Sequence, residues 1–187
     1  MRPSGLPNVV LVGLPGAGKT TIGREAAKRL GWPFIDLDLE IERRAGLAVS
    51  EVFARYGEPG FRAMERDLTV ELASRNGTMM AAGGGWATNA DCMALLRPSS
   101  RIIYLRVAPS VALARIAADG GVRPMLESPN PAEVMNRLLE KRRTSYESAD
   151  LVIDTEVIDT EALIVAVVRY AAGLLPMDVQ ACSPPLP

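Results

Sequence analysis

Residues 13–20 read Gly13-Leu14-Pro15-Gly16-Ala17-Gly18-Lys19-Thr20, which fits the pattern G-x-x-x-x-G-K-[ST]. An apolar, β-branched run at 9–12 comes before this stretch, and apolar residues recur at helical spacing after it. A strand, a glycine-rich loop and a helix in this order can point backbone N–H groups inward at the amino terminus of the helix. We therefore expect the loop to wrap phosphate groups. A plain glycine-rich connection between a strand and a helix is the alternative.

Lys19 and Thr20, which end the motif, predict the chemistry of this loop. Lys19 would bring a full positive charge to the β and γ phosphates, beside the partial positive charge at the start of the helix. Thr20 would coordinate Mg²⁺ through its hydroxyl oxygen, the ligand type that this cation prefers. The loop therefore predicts a magnesium-dependent phosphate site.

Apolar runs alternate with helical patterns along the rest of the chain. The candidate buried strands lie at 9–12, at Phe34 and Ile35, at 78–82, at 101–107 and at 151–153. Strands that alternate with helices indicate a parallel sheet covered on both faces. We expect a three-layer α/β sandwich with five parallel strands, in a single domain over residues 1–174. The proline-rich stretch 175–187 has no strand or helix period and is predicted to be a flexible tail.

The composition limits the possible functions. The chain has 187 residues, of which 48% are hydrophobic, enough to bury one core. Lys and Arg number 21 and Asp and Glu 22, so no general attraction to nucleic acid or anionic membrane is expected. Two cysteines and no histidine argue against a disulfide framework, a Cys/His zinc site and a nucleophile activated by histidine. Because neither a signal sequence nor a run of about 18 apolar residues is present, we expect a cytoplasmic protein.

Two further groups of residues fall at strand ends, as the phosphate loop does. Ligands of such sheets bind beyond the carboxyl ends of the strands, so we expect the three groups to share one cleft. Asp36 and Asp38 would project from the same edge of an extended backbone and could divide their roles between metal and substrate, or one could cap the next helix. Glycines 83–85 either form a tight turn or let the backbone approach a ligand closely.

These stretches, with others, resemble the shikimate kinases, which belong to the nucleoside monophosphate kinase-like group of P-loop proteins. The resemblance covers residues 8–172 and is carried by GLPGAGKTT at 13–21, DLD at 36–38, EVFARYGEPGFR ending at Arg62 with Glu65 close behind, GGG at 83–85, RP at 123–124 and KRRTSY at 141–146. It implies the P-loop NTPase fold with strand order 2-3-1-4-5 and a mobile lid at 115–131. The glycines and prolines of 117–131 are also typical of a loop, which could close over ATP and exclude water or be an inert surface loop.

The resemblance implies phosphorylation of the 3-hydroxyl of shikimate by ATP with Mg²⁺, in the pathway to chorismate and the aromatic amino acids. Its implied catalytic residues are Lys19, Asp38 and the lid residue Arg123. Of these, Asp38 would bind the reacting hydroxyl and accept its proton. The implied nucleotide contacts are Gly13, Gly16, Ala17, Gly18, Lys19, Thr20, Thr21, Arg115 and Arg123. The implied shikimate contacts are Asp38, Arg62, Gly84, Gly85 and Arg142. The implied metal site uses Thr20 and, through a bound water, Asp36.

The chain departs from this family at Trp86 and Ala87, where a small residue and a valine are common. We expect the Trp86 ring to lie beside the substrate wall. Each of Arg62, Arg123 and Arg142, considered alone, could also be a solvated charge on the surface.

Two other functions stay open. One is a shikimate-kinase-like module that binds an effector, and the other is a kinase for another hydroxy acid such as gluconate. The presence of Lys19, Asp36, Asp38 and Arg62 together favours the enzyme. Because no coiled-coil pattern is present, we expect a monomer that binds a small molecule and neither nucleic acid nor membrane.

Overall fold

The structure is a computed structural model that describes residues 5–119 and 128–174. Its strands are β1 (Asn8–Val12), β2 (Phe34–Asp36), β3 (Met79–Ala81), β4 (Ser100–Arg106) and β5 (Leu151–Asp154). All neighbouring strands run parallel, in the order β2-β3-β1-β4-β5. The five-stranded parallel sheet and its strand order are therefore confirmed.

Helices flank this sheet on both sides. They are α1 (Lys19–Leu30), α2 (Leu37–Ala45), α3 (Val49–Ala73), α4 (Ala90–Leu96), α5 (Pro109–Ala118), α6 (Pro131–Glu147) and α7 (Thr160–Ala171), with short 3₁₀ turns at Trp86–Thr88 and Arg97–Ser99. Every residue of the central strand β1 is buried, as expected for a strand that is covered on both faces. None of the described helices is long and apolar enough to cross a membrane.

Local signals explain where the elements around β2 begin and end. Helix α1 ends at Gly31, which adopts φ 65° and donates its N–H to the carbonyls of Ala27 and Lys28. Asp36 ends β2 and also caps α2, because its carboxylate accepts a hydrogen bond from the N–H of Leu39. The change from strand to helix at this point therefore needs no connecting loop.

Helix α3 is interrupted near its middle. Gly57 has φ 67° and ψ −179°, which is not helical, and Pro59 has no N–H to donate to the preceding turn. The second half of α3 restarts after this break and carries Phe61, Glu65, Leu68 and Leu72 on its buried face. The break thus sets the direction of the half-helix on which Arg62 lies.

Two predicted segments lie wholly or mainly outside the described residues. Of the predicted lid at 115–131, residues 115–118 form the last turn of α5 and 131 begins α6. Residues 120–127, which include Arg123, are outside the described part, and so is the predicted tail at 175–187.

Candidate active site

The loop between β1 and α1 has a backbone that favours glycine at three positions. Gly13, Gly16 and Gly18 have φ values of 145°, 80° and 88°. A Cβ would lie 2.6 Å from the carbonyl oxygen of Leu105 at Gly13 and 2.5 Å from that of Ala112 at Gly16. The motif glycines therefore let the loop fold tightly against β4 and α5.

The start of α1 is open to an anionic ligand. Its N-cap, Gly18, has no side chain to cap the first turn, and that turn contains no acidic residue. Uncapped N–H groups at a helix start favour phosphate. Within the loop, the N–H of Ala17 donates to the carbonyl of Leu14 at 3.1 Å, while Thr21 is exposed in the first turn of α1.

Lys19 folds back over the loop that precedes it. Its Nζ donates hydrogen bonds of 2.9 Å to the carbonyl oxygens of both Gly13 and Leu14. These bonds hold the ammonium charge above the glycine-rich loop, where it would meet a phosphate chain.

Thr20 and Asp36 lie together at the edge of the loop. The Thr20 hydroxyl donates a 2.7 Å hydrogen bond to Oδ2 of Asp36, while Oδ1 caps α2. The capping role of Asp36 is therefore confirmed, while its other oxygen faces Thr20. A hydroxyl and a carboxylate are ligands that suit Mg²⁺. Because the described residues contain no group of three acidic, Cys or His side chains that could hold a metal, phosphate oxygens and water would complete its ligand set.

The prediction that Asp36 and Asp38 share one extended edge is wrong. Helix α2 begins at Leu37, so Asp38 lies in the first turn of a helix. The cause is Asp36 itself, because its capping bond starts the helix before a second strand position can form. Asp38 nevertheless faces the cleft, where its Oδ1 lies against Gly83.

The glycines at 83–85 are required because the side chains of three residues approach them closely. A Cβ at Gly83 would overlap Asp38, one at Gly84 would lie 2.7 Å from Nη1 of Arg142, and one at Gly85 would lie 2.6 Å from Nη2 of Arg62. None of the three needs a positive φ. The stretch does form a tight turn, since the N–H of Trp86 donates to the carbonyl oxygen of Gly83 at 3.1 Å, and the turn is also closely approached by other groups. The approaching groups are side chains of the chain itself.

Arg142 is a buried cation with an unused donor. Its side chain is on α6, the residue is only 8% exposed, and Nη1 has no hydrogen-bond partner among the described residues. A buried charged donor without a partner is costly, so Nη1 of Arg142 is a candidate for a contact with an anion.

Arg62 is held by acidic neighbours on α3. It donates to buried Glu65 at 2.8 Å and to exposed Glu58 at 3.3 Å. Burial of Arg62 opposes its charge, but the hydrogen bonds and charges of Glu65 and Glu58 together outweigh burial and raise the pKa of Arg62. Arg62 therefore stays charged in the cleft, and it keeps 30% of its side chain exposed.

Tyr146 is a site residue that the sequence analysis did not single out. Its hydroxyl donates to the carbonyl oxygen of Gly84 at 3.2 Å, and its ring stacks on Tyr104 with 5.0 Å between centroids. Burial raises the pKa of Tyr146, so the phenol keeps its proton. The sequence signal that could have predicted its place beside the glycines is its position in the KRRTSY stretch, one helical turn after Arg142.

The prediction that the Trp86 ring lies beside the substrate wall is wrong. Trp86 is fully buried, and its Nε1–H donates to Oγ1 of Thr69 at 3.0 Å. The 3₁₀ turn that begins at Trp86 directs the ring into the core. The Trp86 ring therefore does not line this side of the cleft.

The comparisons with known proteins point to one family. The family model described as shikimate kinase matches residues 15–171. The chain belongs to the shikimate kinase family. A shikimate kinase from Moorella thermoacetica is 40% identical over 149 residues, which are 80% of this chain and 85% of that protein. The solved shikimate kinase from Acinetobacter baumannii in complex with shikimate has a TM-score of 0.82 and 37% identity, over 90% of this chain and 94% of that one.

A gluconokinase from Sinorhizobium meliloti shares the fold alone. Its solved structure has a TM-score of 0.61 but only 16% identity, over 92% of this chain and 95% of that one. The comparisons therefore favour the shikimate kinase family over a gluconate kinase.

Arg115, a predicted nucleotide contact in this shikimate kinase family member, is engaged with the loop after β5. It donates hydrogen bonds of 2.9 Å to both the hydroxyl and the carbonyl oxygen of Thr155. These bonds join the end of α5 to the segment between β5 and α7. Arg123, the other arginine that the family resemblance implies, is outside the described residues.

Proposed function

We propose that this protein transfers the γ-phosphoryl group of ATP, with Mg²⁺, to the 3-hydroxyl of shikimate, giving shikimate 3-phosphate and ADP. The product would serve the synthesis of chorismate and the aromatic amino acids. The observation that carries the proposal is the convergence of Asp38, Arg142 and Arg62 on three consecutive glycines.

The two arginines suit a substrate that carries a carboxylate. The buried Nη1 of Arg142 has no partner among the described residues, and Arg62 remains partly exposed beside Gly85. Guanidinium groups bind carboxylates through short, charge-assisted hydrogen bonds that also fix orientation. Shikimate would thus be oriented by its carboxylate, with its ring along the backbone of Gly84 and Gly85.

Asp38 suits the reacting hydroxyl. Its carboxylate is at the Gly83 end of the same turn. A carboxylate there would accept a hydrogen bond from the 3-hydroxyl and then take its proton as the new O–P bond forms.

Lys19 and the start of α1 suit the phosphate chain of ATP. Phosphoryl transfer depends mainly on in-line positioning and on neutralisation of the phosphate oxygens. Lys19 would supply one charge, and Arg123 is proposed to supply another from the lid. Mg²⁺, held by Thr20 and through water by Asp36, would neutralise charge on the phosphates when it is bound.

A coupled assay of ADP release tests this function. With ATP and Mg²⁺, shikimate should stimulate release and gluconate should not, and Lys19→Ala should abolish the signal. If ATP binds but neither substrate stimulates release, the kinase proposal fails and the effector-binding module becomes the better account. Stimulation by gluconate alone would reassign the substrate.

A further inference from the structure

Trp86 joins the glycine turn to α3 through Thr69. The Trp86 indole N–H donates to Oγ1 of Thr69 at 3.0 Å, and the Thr69 hydroxyl donates to the carbonyl oxygen of Glu65 at 2.7 Å. Because a hydroxyl has a single proton, the bond to Glu65 leaves the Thr69 oxygen oriented to accept from Trp86. All three residues are buried, so these bonds do not compete with solvent.

The same part of α3 holds Arg62. The Glu65 carboxylate accepts from Nη1 of Arg62 at 2.8 Å, and Nη2 of Arg62 lies against Gly85, the residue directly before Trp86. The contacts therefore form a closed ring, which runs from Gly85 through Trp86, Thr69 and Glu65 to Arg62 and back to Gly85. A shift of the turn away from α3 would break at least one contact of this ring.

A second anchor holds the other side of the turn. Tyr146 donates to the carbonyl of Gly84 from α6, one helical turn after Arg142. Each arginine thus shares its helix with a group that fixes the turn. Three consecutive glycines would otherwise have the largest backbone freedom that a chain allows.

We infer that Trp86 is a positioning residue for shikimate, whose bond to Thr69 sets the distance between the Arg62 and Arg142 guanidinium groups across the glycine turn. The inference rests on the proposed function, in which these two arginines bind the substrate carboxylate. Trp86 itself touches no substrate, because its ring is buried beneath the turn.

Trp86→Phe and Thr69→Val test this inference. Thr69→Val keeps a side chain of nearly the same shape, Trp86→Phe keeps a smaller aromatic ring, and each variant removes one partner of the bond. KM for shikimate should rise about 3- to 10-fold, as expected for one hydrogen bond. KM for ATP and kcat should change less than about 2-fold, since the phosphate loop is a separate element. The double variant should be no worse than the more affected single variant, because both remove the same bond.

Tyr170→Phe is the matched control. Tyr170 is a fully buried aromatic residue on α7 whose hydroxyl has no partner among the described residues, and its ring packs against Arg101 at the start of β4. That end of the strand is opposite the cleft, so KM for shikimate should not change. Melting temperatures of all variants show that each one folds. If Tyr170→Phe raises KM as much as Trp86→Phe does, the effect is general loosening and the inference is wrong.

Arg62→Lys separates the inference from the function on which it rests. A rise in KM for shikimate with Arg62→Lys but none with Trp86→Phe overturns the positioning role and leaves the proposed function intact. If Arg62→Lys leaves KM for shikimate unchanged, the proposed substrate contact fails first, and the inference fails with it.

Discussion

The Thr20 hydroxyl donates a 2.7 Å hydrogen bond to the Asp36 carboxylate, and this contact joins the first turn of α1 to the end of β2. The second oxygen of Asp36 caps α2. One carboxylate therefore connects the phosphate loop with the helix that carries Asp38. A change at Asp36 should affect both the stability of α2 and the proposed metal site.

Asp36→Asn and Asp36→Ala should separate these two roles. Asparagine is as good an N-cap as aspartate but carries no charge, so Asp36→Asn should keep the melting temperature and raise the Mg²⁺ concentration for half-maximal rate. Asp36→Ala should also raise the Mg²⁺ concentration for half-maximal rate, but it should lose about 1 kcal/mol of stability because the cap is lost. Titration of Mg²⁺ in the kinase assay, with thermal denaturation, checks both. An unchanged Mg²⁺ requirement in the two variants would remove Asp36 from the metal site.

Lys19→Met should lower kcat by about 100-fold or more, because a charge next to the developing negative charge is lost while the length of the side chain is kept. The variant also loses the bonds to the carbonyls of Gly13 and Leu14. Shikimate binding measured by calorimetry without nucleotide should stay unchanged, since Arg62 and Arg142 are untouched. Weakened shikimate binding would show that the loop and the glycine turn are not separate.

Gly84→Ala should raise KM for shikimate with little loss of stability. The new Cβ would lie 2.7 Å from Nη1 of Arg142, the flexible end of a side chain, which can move away and leave the substrate. Gly46→Ala is the matched control, because Gly46 has φ 66° with nothing near its Cβ position. It should lose about 1 kcal/mol of stability and leave KM unchanged. Steady-state kinetics and thermal denaturation distinguish the two patterns, and the same pattern for both variants would argue against the contact.

Arg142→Met should stabilise the ligand-free protein while it weakens shikimate binding. Methionine fills similar space without leaving a buried donor unsatisfied, and replacements of buried charges by apolar side chains of similar volume are neutral or stabilise by up to about 4 kcal/mol. Chemical denaturation gives the stability, and calorimetry gives the affinity for shikimate. A clear loss of stability would show that the Arg142 charge is compensated in the free protein.

Tyr104 should make the fold sensitive to alkaline pH. Burial, with a smaller effect of Tyr146, raises the pKa of Tyr104 from its ordinary value near 10 to about 12. Because the folded pKa lies above the unfolded one, this contribution to stability is complete below pH 10 and is lost as pH rises toward 12. Denaturation between pH 8 and 11 should show a smaller decline for Tyr104→Phe than for the parent chain. Tyr56→Phe, which changes an exposed ring, should follow the parent chain.

Patterns that are local in the sequence predicted most of the fold and the phosphate loop. The motif at 13–20 fixes its own strand, loop and helix, and the alternation of elements predicts the parallel sheet. The candidate site residues that the family motifs predicted, such as Arg62 and Arg142, do meet at the glycine turn.

The errors concern contacts between residues that are distant in the chain. Nothing local shows that the Trp86 ring turns inward, because its partner Thr69 is 17 positions earlier on another element. The close approach at 83–85 likewise depends on Asp38, Arg62 and Arg142, which come from three helices. The extended position predicted for Asp38 is wrong because the capping oxygen of Asp36, and not the strand pattern, determines where β2 ends.

The glycine turn also has an evolutionary consequence. Each of its residues lacks a side chain because of a different neighbour: Gly83 because of Asp38, Gly84 because of Arg142 and Gly85 because of Arg62. A descendant of this chain could gain a side chain at one of these positions only if the facing residue changed as well. The six positions therefore form three pairs, and drift at the turn should occur within a pair or be removed by selection.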